Sequence, residues 1–121
     1  MQEKGFRQYT TLSVSILTPL HYFTTMNNIN TLASAAYSNA VQRGKTSEKP
    51  SHIGTLLGIL DEVSEYEKAS EELPSEHLAQ YTEAQEELAD ICIACLTELH
   101  SRGVDVEQVI IDKIEFNKTR V

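Results

Sequence analysis

The sequence predicts an all-α protein, a four-helix core completed by association of subunits, with an extended arm ahead of it. Three observations predict this. Apolar residues recur at spacings of three and four along four segments. Each segment opens on a side chain suited to helix capping, and Gly or Pro punctuates the gaps. One turn, Ile91 to Leu96, is apolar on every side of its helix, more than a small bundle can cover alone. A chain of 121 residues suffices for one domain, and 40% hydrophobic with 23% charged residues is ordinary for a folded one.

Residues 1–25 form the arm. Thr11 to Ile16 alternates with period two, a strand pattern, yet no later segment reads as its partner. The segment pairs with its copy in another subunit, lies on the helices, or is an upstream extension before a natural start at Met26. Lys4 and Arg7 ahead of Leu12 to Phe23 imitate a signal peptide, but Thr, Ser, Pro and His interrupt that run and no small-residue cleavage site follows.

Residues 26–121 form the helical domain. Asn27 or Asn28 caps the first helix, which runs to about Arg43 and stops at Gly44. A polar linker from Lys45 ends at Pro50. Ser51 caps the second helix, which runs to about Ser70 with Ile53, Leu56, Leu57, Leu60 and Ser64 on its inner stripe. Pro74 breaks the chain. The third helix starts near Ser75 or near Thr82, where Thr82 and Gln85 make a capping-box pattern, and ends at Gly103. Asp105 caps the fourth, through Val106, Val109, Ile110 and Ile114 to about Arg120.

The formal net charge is -8, which disfavours nucleic-acid backbones as partners. No apolar run approaches the roughly 20 residues of a membrane span, so no membrane partner is expected. The two cysteines, Cys92 and Cys95, are three apart and cannot staple a secreted fold, so a reducing, cytoplasmic location is expected. They fall mid-helix, away from the N-terminal position that activates a redox thiol, and read as core residues. The four histidines show no metal spacing and read mostly as surface groups.

Acids are dense from Asp61 to Asp90, with Lys68 the one Lys or Arg in that stretch. Glu62 and Glu65 are three apart on the second helix, and Glu87 and Asp90 are three apart on the third. Such spacing puts each pair on one helix face, Cβ atoms about 5–6 Å apart. Antiparallel packing lets the two pairs face each other, and a divalent cation removes the repulsion this creates. All-oxygen ligands favour Mg²⁺ or Mn²⁺ over zinc. The plain alternative is a solvated acidic face. Asp90 argues against it, because it stands one turn before the all-apolar stretch, where an unpaired carboxylate is costly.

The order Asp61-Glu62-Val63-Ser64-Glu65, a spacer, then Glu87-Leu88-Ala89-Asp90 resembles the E-x-x-E, spacer, E-x-x-D signature of the MazG-like all-α nucleoside triphosphate (NTP) pyrophosphohydrolases. Lys113 to Arg120 is similar to that family's C-terminal Lys/Asn/Arg segment. The resemblance covers about residues 28 to 120. It implies a homodimer or homotetramer that hydrolyses an NTP, a dNTP or a modified one, to monophosphate and pyrophosphate. Glu62, Glu65, Glu87 and Asp90 would hold Mg²⁺ or Mn²⁺. Glu62 or Glu65 would orient or deprotonate the water attacking the α-phosphorus. Lys113 and Arg120 would neutralise phosphate charge, and Asn117 would hydrogen-bond sugar or base. The chain departs from relatives in having no tryptophan and in carrying Asp61 where Glu is common. That leaves base stacking to Tyr37, Tyr66, Phe116 or His52. A reading from another class is a helical association or nucleotide-binding module without catalysis.

Overall fold

A computed structural model of the protein describes residues 28–46 and 49–120. The arm of residues 1–25, its strand pattern and His21 lie outside the described residues. Four helices follow in order: α1 (Ile29–Gln42), α2 (His52–Lys68), α3 (Glu83–Ser101) and α4 (Val106–Asn117). Among the described residues there is no strand, only an isolated bridge between Pro74 and Thr82.

Each helix begins where a side chain replaces a missing backbone acceptor. The Asn28 side chain accepts from Thr31 N–H at 2.8 Å, Ser51 from Gly54 at 3.0 Å and Asp105 from Gln108 at 3.1 Å. Thr82 and Gln85 form the full capping box, with bonds of 2.9 and 3.1 Å. Such caps contribute about 1 kcal/mol each. Gly44 (φ +71°) and Gly103 (φ +77°) take the left-handed conformation that ends α1 and α3.

Thr82, not Ser75, starts α3, because a side-chain-built loop occupies residues 70–81. Ser70 Oγ accepts from the N–H groups of Glu72 and Leu73, and Ser75 Oγ from those of His77 and Leu78. Two acids of α3's first turn hold this loop down. Glu83 accepts from Ser70 N–H at 2.9 Å, and Glu86 accepts from the buried Ser75 hydroxyl. These bonds satisfy loop groups that a helix would otherwise pair.

α3 is central. α1 and α2 each pack along it, while α4 packs on α1 and only lightly on α3. The apolar core is correspondingly thin, its buried members among the described residues being Ala33, Ala84 and Val106.

The expected inner stripe of α2 faces outward. Ile53 is 60% exposed, Leu57 56% and Leu60 50%, and Leu56, Val63 and Ser64 are exposed too. The half-buried residues of α2 are Thr55, Ile59, Glu62 and Tyr66, on the opposite side at about 100° per residue. A polar lock sets this rotation. Thr55 donates to Glu98 at 2.6 Å, and Arg102 donates to Glu98 and to Thr55, each at 2.8 Å.

Cys92 and Cys95 likewise fail to enter a core within one chain. Both are exposed, as are Leu88 and Ile93, because α1 and α2 leave part of α3 uncovered. His52 and His77 are exposed, whereas His100 is half-buried with its ring 5.0 Å from that of Tyr37. No helix among the described residues is long and apolar enough to cross a membrane.

Candidate metal centre

α2 and α3 run antiparallel, so Thr55 meets Glu98 at one end of their contact and Glu62 meets Asp90 further along. Glu87 and Asp90, one turn apart, share the face of α3 that Glu62 approaches. One carboxylate oxygen from each of Glu62, Glu87 and Asp90 lies within 4.8 Å of the others, and all three residues are half-buried.

The electrostatics are unfavourable as they stand. Two unit charges 4.8 Å apart repel by about 3.5 kcal/mol at an effective dielectric near 20. Burial pushes the Asp90 carboxyl above the usual range and Glu86 adds to this, while a hydrogen bond with Glu87 and the charges of Lys45 and Arg43 oppose it. Glu62 is raised by burial and then by Asp90, with Lys45 again opposing. Glu87 is raised by burial and then by Asp90. A compact, acid-only oxygen set whose charges resist ionisation fits a hard divalent cation such as Mg²⁺ or Mn²⁺, and it lacks the nitrogen and sulfur donors zinc prefers.

Glu65, one turn beyond Glu62, is exposed and pairs with Lys68 at 3.5 Å. It stands outside the three-residue group, although its charge acts on Glu62 and Glu87. Lys113 and Asn117 are exposed on α4, and Arg120 is exposed beyond it, because the helix stops at Asn117 and not at Arg120. Lys113 Nζ sits 4.8 Å from the Phe116 ring centre, and Arg120 donates weakly to Asn117 at 3.4 Å. Their helix makes no packing with α2 comparable to that of α3. One chain thus unites three of the four acids and keeps Glu65, Lys113, Asn117 and Arg120 outside that group.

Sequence reasoning missed Lys45 and Arg43, whose charges act on the cluster. They occupy the α1–α2 linker, and no spacing announces which helix a linker crosses. Within the Cys-x-x-Cys pair, Cys95 is not an activated thiol. Burial, then the neighbouring Cys92, pushes the Cys95 thiol up. No protein family, characterised protein or solved structure matches the chain.

Proposed function

We propose that this protein is a divalent-metal-dependent NTP pyrophosphohydrolase of the MazG-like kind, acting on a dNTP or modified NTP. The observation that carries the reading is the rotation of α2. Its apolar stripe faces outward while Glu62 is turned inward to meet Glu87 and Asp90. A helix placed only to build a core would bury Leu57 and Leu60 and leave Glu62 in water. The order of the acids along the chain, and their resemblance to the pyrophosphohydrolase signature, supply the rest.

Glu62, Glu87 and Asp90 would hold the metal, with Glu65 completing the set from the rim. The cation, when bound, supplies positive charge to the triphosphate oxygens and makes water more acidic. Glu65, solvent-accessible and outside the tight group, or Glu62 beside it, would orient a water and take its proton. Pyrophosphate is the leaving group when that water attacks the α-phosphorus. Lys113 and Arg120 would neutralise phosphate charge, and Asn117 would contact sugar or base.

The exposed stripe of α2, together with Leu88 and Ile93 of α3, supports a homodimer or homotetramer. The same stripe would suit a non-catalytic association module, and one experiment separates the two. A panel of ribo- and deoxynucleoside triphosphates is incubated with Mg²⁺ and the products identified. The hydrolase reading expects monophosphate and pyrophosphate in equal amounts from at least one substrate. No turnover across the panel, with no thermal stabilisation by Mg²⁺ or Mn²⁺, leaves the association module.

A further inference from the structure

We draw no further inference here: the strongest candidate, the outward-facing apolar stripe of α2 formed by Ile53, Leu57 and Leu60, carries nothing beyond the association already proposed, because nothing in the structure shows what covers it.

Discussion

Replacing Asp90 by Asn should move stability in opposite directions with and without a divalent cation. In the metal-free protein the substitution removes two repulsions, one with Glu62 and one with Glu87, each over no more than 4.8 Å between the nearest facing oxygens. Coulomb's law gives about 3.5 kcal/mol per pair at an effective dielectric of 20 and about 0.9 kcal/mol in bulk water. The three groups are half-buried, so the effective value lies between these two limits. A net gain of about 1–2 kcal/mol at neutral pH follows, roughly 4–10 °C in Tm for a domain of this size. With Mg²⁺ the order reverses. The wild type gains about 2.7 kcal/mol at a hundredfold excess over Kd, the variant gains little, and hydrolysis is lost. Thermal unfolding followed by circular dichroism, in chelator and in excess Mg²⁺, measures both arms. A variant less stable than wild type in chelator, or stabilised by Mg²⁺ as much as wild type, would refute the reasoning.

Further outcomes follow from the same geometry. In chelator, Glu62, Glu87 and Asp90 have folded pKa values above their unfolded ones, so their ionisation works against folding. Their contribution is most favourable at low pH and is lost as pH rises from the ordinary carboxylate values of 3.8–4.5 through the raised folded values; isothermal titration across that window should show Mn²⁺ binding tightening as pH rises. Glu98 has the opposite sign: burial raises it, but hydrogen bonds from Thr55 and Arg102 outweigh this and hold it low, so its contribution is lost as pH falls through its folded pKa. Glu98→Ala, which leaves Thr55 and Arg102 without their shared acceptor, should cost about 1–2 kcal/mol in denaturant unfolding and reduce activity by loosening the rotation of α2. Leu57→Asp and Leu60→Asp should dissociate the proposed homodimer or homotetramer in sedimentation velocity, because each side chain, half exposed in one chain, has about 1 kcal/mol of burial left to gain from a partner.

The helices were legible because capping is local. Asn28, Ser51, Thr82 and Asp105 each satisfy a donor three residues on, and Gly44 and Gly103 each close a turn. The acid pairs were legible for the same reason, since residues three apart share a helix face whatever packs on it. The choice between Ser75 and Thr82 was not, because Glu83 and Glu86 reach back across 11–13 residues to hold the loop. The rotation of α2 was misread. Periodicity finds an apolar stripe but not the neighbour it meets, and here the Thr55–Glu98–Arg102 lock turns that stripe outward. Cys92 and Cys95 belong to the all-apolar turn that the sequence leaves to an association of subunits, and one chain alone leaves both exposed.

The central claim is that the Glu62–Glu87–Asp90 group serves cleavage between the α- and β-phosphates. The most direct measurement is a single-turnover reaction in ¹⁸O-enriched water with Mg²⁺ and a nucleotide the protein accepts, its products resolved by mass spectrometry. Water attacking the α-phosphorus places the heavy oxygen in the nucleoside monophosphate and leaves the pyrophosphate unlabelled, and Asp90→Asn should yield neither product. Label in pyrophosphate or inorganic phosphate, a diphosphate product, or undiminished turnover by Asp90→Asn would contradict the assignment.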